Sequence, residues 1–345
     1  MGLLQETCDA IHSRSKEIEQ HIIKNWNDAS DSKQYGRLVN MVAQYGAATN
    51  QKNVTIPKPC MIIASADHGV ADMGVSAYPK ETTVGMTQNY LIPKGAGANS
   101  LANYCGATME VIDMGIDADM SWVPGLRSHK LGMGTKNFVE EPAMTREQAI
   151  EGIETGIKLV QEKMSDGYNV FLVGEMGISN TTASALMTAK FAGLTAEEAT
   201  GRGTNISDER LKLKQRIVHD VLVKYKDIPK DDAIGILAAV GGFEFTCIVG
   251  VILGAAAHHG MVIIDGFNTS ACALVAKTLV PASMDYVMAS HLSAEKAAKS
   301  SLQNLGLEAY VDLGLCLGEA SGGSVQMGML DLAVHMYKSV IGGKA

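Results

Sequence analysis

The chain has 345 residues, of which 46% are hydrophobic and 5% aromatic, and its formal net charge is −8. This length is enough for one large α/β domain with a smaller appendage. Because the chain is acidic and no run of Lys or Arg stands out, neither nucleic acid nor a membrane is expected as a partner.

The N-terminal segment predicts an amphipathic helix rather than a signal peptide. Glu6 and Asp9 stand where a signal peptide needs an unbroken apolar run. The six cysteines are spread along the chain without a CxxC pair or a zinc-ligand spacing. We therefore expect free thiols and a reducing, cytoplasmic location.

Short apolar runs recur along the chain, and each is followed by glycine or an acidic residue. We predict strands over residues 60–64, 109–112, 170–173, 234–240 and 261–264, with a weaker candidate over 310–315. Between them, Thr145 and Gln148 predict a capping box for a helix to about residue 164, and Ser207 predicts the cap of a helix to about residue 225. This alternation predicts a three-layer α/β fold, a parallel sheet with helices on both faces.

One long apolar stretch, residues 233–257, contains a single charged residue, Glu244, and could be mistaken for a membrane span. Gly241 and Gly242 interrupt it near its middle. We therefore predict a buried strand, a tight turn and a buried helix.

The two chain ends differ from the middle, because both are mostly helical in pattern. We predict a large α/β domain over residues 40–284 and a small helical domain formed by residues 1–39 and 285–345.

The segment VGEMGISNTT at 173–182 follows a predicted strand and opens a helix. Gly174 and Gly177 allow a tight turn, and the polar residues after them lie at a helix N-terminus, which favours anions. A capped helix without a ligand is an equally good interpretation of this loop alone. The segment is not a Walker loop, since GxxxxGK[ST] is absent.

Lys214 follows a second glycine-rich segment, GRGTN at 201–205, and shares a helical face with Leu211 and Val218. A lysine on an apolar stripe either snorkels to solvent or points into a site. Snorkelling is the commoner case, but two neighbouring glycine-rich loops make a phosphate partner plausible.

Glu319 lies in LGEASGG at 317–323, between an apolar run and a helix. Partial desolvation there raises a carboxyl pKa toward that of a general base, although most loop acids are simply exposed. Glu175 has the same two interpretations. His68 and His291 lack metal-ligand neighbours, and a buried, hydrogen-bonded histidine is the commoner role for each. No metal and no cofactor is expected.

Nine segments together resemble the nicotinate-nucleotide–dimethylbenzimidazole phosphoribosyltransferase family, and they occur in order over roughly residues 40–330. They are ADHGV at 66–70, GVSAYPKETT at 74–83, DMGID at 113–117, VGEMGISNTT at 173–182, GRGTN at 201–205 followed by Lys214, GGFE at 241–244, DGF at 265–267, SHLSAE at 290–295 and LGEASGG at 317–323. Any one of them is weak evidence, but all nine in order are specific.

The resemblance implies a homodimer whose substrates are nicotinate mononucleotide and a small aromatic acceptor, with Glu319 as general base and Glu175 as a second acid in the same site. It also implies an acceptor pocket around Tyr78 and Met86, where better-known members place small or polar side chains, so the acceptor stays open. The residues implied in substrate binding are Gly174, Gly177, Ser179, Asn180, Thr181, Gly203, Lys214, Tyr78, Met86 and His291.

The implied chemistry agrees with these residues. Nicotinate leaves a pyridinium donor as a neutral ring and needs no acid, whereas the acceptor azole must lose a proton to a base such as Glu319 as its other nitrogen attacks C1′. Displacement from the opposite face converts a β-linked donor into an α-linked product. Two alternatives remain: a nucleosidase that uses water, and a non-catalytic subunit that binds nucleotides.

Overall fold

The computed structural model of the protein describes residues 2–342. Six strands form one parallel sheet in the order β3-β2-β1-β4-β5-β6. The strands are β1 (Pro59–Ala66), β2 (Thr108–Gly115), β3 (Leu126–Ser128), β4 (Val170–Met176), β5 (Met261–Ile264) and β6 (Val287–Ala289). The predicted strands over residues 60–64, 109–112, 170–173 and 261–264 are confirmed.

Helices cover both faces of the sheet. The α-helices are α1 (Leu3–Ala10), α2 (Lys16–Ala29), α3 (Arg37–Ala48), α4 (Thr82–Leu91), α5 (Gly97–Tyr104), α6 (Arg146–Ser165), α7 (Asn180–Ala192), α8 (Ala196–Ala199), α9 (Asp208–Lys224), α10 (Ala233–Val240), α11 (Phe243–Ala257), α12 (Phe267–Leu279), α13 (Ala298–Leu305) and α14 (Ser321–Gly342). Three short 3₁₀ helices lie at Ser32–Tyr35, Gly69–Met73 and Pro281–Tyr286. The predicted three-layer α/β architecture is confirmed.

The layers pack through the apolar faces of helices. Helix α11 lies against β1, β2, β4 and β5 and is covered by α6, whereas α14 lies against β4 and β5 and contacts α5 and α3. Both caps predicted from sequence are present, because Thr145 accepts from the Gln148 N–H and Ser207 accepts from the Arg210 N–H. No helix within residues 2–342 is long and apolar enough to cross a membrane.

Two predicted strands are wrong. Residues 234–240 belong to helix α10, which Asp232 caps and Gly241 ends. Because every residue of this run is buried, its apolar pattern has no period that distinguishes strand from helix. Residues 310–315 form no strand; Val311 makes one isolated bridge to His291 and the rest of the segment is largely exposed.

The helices from the two chain ends meet. Helix α2 contacts α3 and α14, and the rings of Trp26 and Tyr337 lie 5.3 Å apart. Helix α1 is separate from α2, because residues 11–15 are not helical, and it packs on α6 and α11. The division into a large and a small domain stays a prediction, and its residues 1 and 343–345 lie outside the described part of the chain.

The strand order reverses between β1 and β4, because β2 and β3 lie to one side of β1 and β5 and β6 lie beyond β4. In open parallel sheets, ligands bind in the crevice that such a reversal leaves at the carboxyl ends of the strands. The segments after β1, β4 and β5 are ADHGV, GEMGISNTT and DGF. The fold therefore places the segments with the strongest motifs around one crevice.

Candidate active site

Glu319 lies in a strained turn immediately before α14. Gly318, Glu319 and Ala320 have φ values of +82°, +59° and +59°, a left-handed conformation that costs a non-glycine residue roughly 1–2 kcal/mol. The turn packs directly on β4, because a Cβ at Gly174 would lie 2.7 Å from the Ala320 nitrogen. Gly174 thus brings the turn that carries Glu319 against the sheet.

The Glu319 carboxyl is buried beside Tyr90 of α4. Burial raises the pKa of Glu319, the nearby Tyr90 hydroxyl opposes that rise, and the charge of Asp265 adds to it. Burial, and then the nearby charge of Glu319, raise the pKa of Tyr90 well above its ordinary range. Glu319 is therefore a carboxyl of increased basicity.

Glu175 is the second acid of the crevice, near the end of β4. It accepts a hydrogen bond from the amide of Asn180, whose own oxygen accepts from Asn268 at 3.0 Å. Burial raises the pKa of Glu175 to about 8, against the opposing effect of Asn268 and Asn180. A Cβ at Gly318 would lie 3.0 Å from Glu175 Oε1, so the turn that carries Glu319 contacts Glu175 at the end of β4.

The loop before α7 contains Gly177, Ser179, Asn180 and Thr181. Ser179 has a φ of +78°, and the helix begins at Asn180. Gly177 packs against the end of β1, since a Cβ there would lie 2.6 Å from the Ala66 carbonyl oxygen. The N-terminus of α7 is therefore fixed at the crevice, where its backbone favours an anion.

Lys214 does not snorkel, because it is 1% exposed. Its Nζ donates a hydrogen bond of 2.7 Å to the Thr181 hydroxyl, and a Cβ at Gly203 would lie 2.7 Å from that hydroxyl and 3.3 Å from Nζ. Burial lowers the pKa of Lys214 to about 8, and the charge of Glu295 opposes that fall. The structure therefore brings together Thr181, Gly203 and Lys214.

Glu295 was not singled out from the sequence, although it lies in the segment SHLSAE. Its Oε1 accepts the Gly203 N–H at 2.8 Å, and its Oε2 is buried without a hydrogen bond. The carboxylate fixes the GRGTN loop and supplies a negative charge near Lys214. A side chain that acts on a loop far away in sequence leaves no local pattern.

Tyr78 and Met86 lie on one connected segment, which is hydrogen-bonded to the loops of this crevice. Tyr78 is 56% exposed, whereas Met86 is half-buried on α4. The Thr204 hydroxyl accepts the Ala77 N–H at 2.9 Å, which ties the segment to the GRGTN loop. On α4, Met86 is three residues after Thr83 and four before Tyr90, so all three share a helical face.

His291 is buried beside the first turn of α14. Its Nδ1 lies 3.1 Å from the Ser290 hydroxyl and 3.9 Å from Asp265 Oδ1. The ring occupies the space that a side chain at Gly322 would need. His291 therefore packs against the first turn of α14, behind Glu319.

The remaining motif segments meet behind these loops. His68 Nε2 lies 2.6 Å from Glu244 Oε1, joining ADHGV to GGFE. Asp67 Oδ2 accepts the Asp117 N–H at 2.8 Å, joining ADHGV to DMGID.

Within residues 2–342, no group of three or more His, Cys, Asp and Glu side chains is placed to hold a metal ion. The crevice contains two carboxyls of raised pKa, the buried ammonium group of Lys214 and a helix N-terminus. This combination suits proton abstraction beside an anionic substrate.

Comparisons with known proteins agree with this chemistry. A family model described as phosphoribosyltransferase matches residues 11–342. The nicotinate-nucleotide–dimethylbenzimidazole phosphoribosyltransferase of Geobacter metallireducens is 41% identical over 305 residues, which cover 88% of this chain and 86% of the relative. That of Chloroflexus aggregans is 41% identical over 86% of this chain and 84% of its own length.

Solved structures give the same result. The crystal structure of CobT from Thermus thermophilus superposes with a TM-score of 0.88 at 32% identity, over 93% of this chain and 96% of that chain. These matches favour a transferase over a nucleosidase or a non-catalytic subunit.

Proposed function

Because the chain belongs to the nicotinate-nucleotide–dimethylbenzimidazole phosphoribosyltransferase family, we propose that Glu319 is the general base of its reaction. The enzyme transfers phosphoribose from nicotinate mononucleotide to 5,6-dimethylbenzimidazole, for the lower ligand of cobamides. The observation that carries the assignment of the base is the buried carboxyl of Glu319 beside Tyr90, with its pKa raised by burial.

The base acts on the acceptor, not on the leaving group. As one acceptor nitrogen attacks C1′, the other nitrogen loses its proton to the Glu319 carboxylate. The C1′–N bond of the donor breaks and the electron pair stays with the nicotinate ring nitrogen, which becomes neutral. Attack opposite the leaving group gives the α-linked ribotide, and holding the two rings in line supplies much of the rate.

Lys214 and the N-terminus of α7 hold the phosphate and ribose of the donor. The contact between Lys214 and Thr181 supports this role, because it places the ammonium group beside the first turn of α7. The backbone around this site can approach the phosphate and ribose closely at Gly174, Gly177, Ser179, Asn180 and Gly203. Glu175, protonated in part at neutral pH, orients Asn180.

Tyr78 and Met86 form the apolar side of the acceptor pocket. The face that Met86 shares with Tyr90 supports this role, because Tyr90 adjoins Glu319. An aromatic ring and a thioether favour flat apolar acceptors by about 0.5–1.5 kcal/mol each. Benzimidazoles therefore rank first, phenols second and adenine third.

His291 stays among the proposed substrate-binding residues. Its position beside Asp265 and the first turn of α14, next to the turn that carries Glu319, supports this role.

The enzyme is a cytoplasmic homodimer in this proposal. Exposed apolar side chains near α14, including Tyr104, Leu317 and Leu332, offer a surface that a second copy can cover. All six cysteines are free thiols, which suits a reducing compartment. Light scattering of the purified protein tests the dimer.

The activity is tested by incubating the enzyme with nicotinate mononucleotide, with and without dimethylbenzimidazole. Nicotinate release that depends on the acceptor, together with an α-ribotide detected by mass spectrometry, is the expected result. Equal release without acceptor would contradict it.

A further inference from the structure

The first turn of α14 lacks a cap from its own sequence. The residue before the helix is Ala320, which has no side-chain acceptor, and helix N-termini carry several N–H groups without backbone partners. Glu319 and Ala320 are both left-handed. The turn that holds Glu319 therefore needs support from elsewhere in the chain.

Asp265 supplies that support from the end of β5. Its Oδ1 accepts the Gly322 N–H at 2.7 Å and the Gly323 N–H at 3.1 Å. The carboxyl is 3% exposed, so solvent does not compete for these bonds. A buried carboxyl that accepts two N–H groups of a first helical turn acts as a cap supplied from outside the helix.

Packing fixes the same turn from two further sides. Gly174 of β4 packs against Ala320. The His291 ring packs against Gly322 and leaves no room for a Cβ there. The position of Glu319 is thus set by β4, by Asp265 and by His291, rather than by residues next to it in sequence.

We propose that Asp265 is a positioning residue for the transfer reaction: by capping α14 from the neighbouring strand, it holds Glu319 in reach of the acceptor. This inference rests on the proposed role of Glu319 as the base. Asp265 touches neither substrate, and its effect on the rate passes through Glu319.

The test is a double-mutant cycle on kcat with nicotinate mononucleotide and dimethylbenzimidazole. Asp265→Ala is expected to lower kcat about 10²-fold, because misplacing a reacting group by about 1 Å costs that much, with little change in the donor KM. In a Glu319→Gln background, where the base is already absent, Asp265→Ala is expected to cause no further loss.

Two variants separate capping from general damage. Asp265→Asn keeps an oxygen acceptor for the two N–H groups and is expected to retain most of kcat. Thr145→Ala removes the cap of α6, away from the crevice, and is expected to leave kcat unchanged. If Asp265→Ala does not fold, Asp265→Ser is tested in its place. Asp265→Ser is expected to cause a smaller loss of kcat, which also disappears in the Glu319→Gln background.

Three results would overturn the inference. The first is an unchanged kcat in folded Asp265→Ala. The second is an equal loss from Asp265→Ala with and without the Glu319 carboxyl, since the aspartate would then act independently. The third is a folded Asp265→Asn as inactive as Asp265→Ala. Full activity of Glu319→Gln would instead remove the proposed base, and the inference with it.

Discussion

His68 Nε2 lies 2.6 Å from Glu244 Oε1, and neither side chain is exposed to solvent. The pair lies directly behind the loop that opens α7, since a Cβ at Gly177 would lie 3.2 Å from both side chains. It joins the segment after β1 to the first turn of α11. The loop proposed to bind phosphate therefore rests on a buried, polar contact.

Replacing His68 by Ala is expected to lower the free energy of unfolding by about 3–5 kcal/mol, because it leaves the Glu244 carboxyl buried without its partner. Urea denaturation measures the change. His258→Ala is the matched control, since His258 is exposed at the end of α11, and such surface changes stay within about 0.5 kcal/mol. Equal stabilities of the two variants would contradict the structural role of the pair.

Replacing Lys214 by Ala is expected to weaken donor binding by roughly 1.5–3 kcal/mol, the value of a hydrogen bond to a charged group. Calorimetry with nicotinate mononucleotide measures it. Lys212→Ala is the control, because Lys212 lies on the same helix but is exposed. Unchanged affinity in Lys214→Ala would remove the lysine from the phosphate site.

Donor affinity is expected to fall as pH rises through about 8. Burial lowers the pKa of Lys214 to about 8 in the free enzyme, so the side chain is cationic below that pH and neutral above it. The donor phosphate is already mostly dianionic above about pH 6. The affinity of Lys214→Met, measured from pH 6.5 to 9.5, should not show this fall; an identical pH dependence in both proteins would contradict the assignment.

The acceptor preference is expected to follow the apolar character of Tyr78 and Met86. In a competition with equal concentrations of dimethylbenzimidazole, p-cresol and adenine, the benzimidazole ribotide should dominate, because the amine and ring nitrogens of adenine would be buried without partners. Mass spectrometry of the products reads the ratio. A dominant adenine ribotide would refute the proposed pocket and leave the family assignment intact.

The sequence predicted most of the central sheet, because strands buried on both faces appear as short apolar runs ending in glycine or an acid. The same rule failed at residues 234–240, where a buried helix has an equally continuous apolar run. It also missed Leu126–Ser128 and Val287–Ala289, since three residues are too few to show a pattern. Strand length, not chemistry, limited that prediction.

The candidate site was likewise predicted only in part from the sequence. Lys214 and Glu319 stand out locally, one on an apolar helical face and the other between glycines. Asp265 contacts the first turn of α14, 57 residues away, and Glu295 contacts the GRGTN loop, 92 residues away. Only the folded chain brings these residues together. The burial that raises the pKa of Glu175 to about 8 is likewise a property of the packed crevice.

The central claim is that Glu319 is the base, and the most direct test is the turnover of Glu319→Gln compared with the exposed control Glu308→Gln. Loss of a general base lowers the rate about 10²–10⁴-fold. Glu319→Gln should therefore fold normally but show a kcat lower by at least about 10²-fold, whereas the kcat of Glu308→Gln should be unchanged. Burial raises the pKa of Glu319 above 4.5, and the base acts when it is deprotonated. The kcat/KM of the wild-type enzyme should therefore decrease as the pH is lowered, along a limb centred above 4.5. This limb should be absent in Glu319→Gln. Near-normal turnover of Glu319→Gln, with that limb retained, would contradict the account.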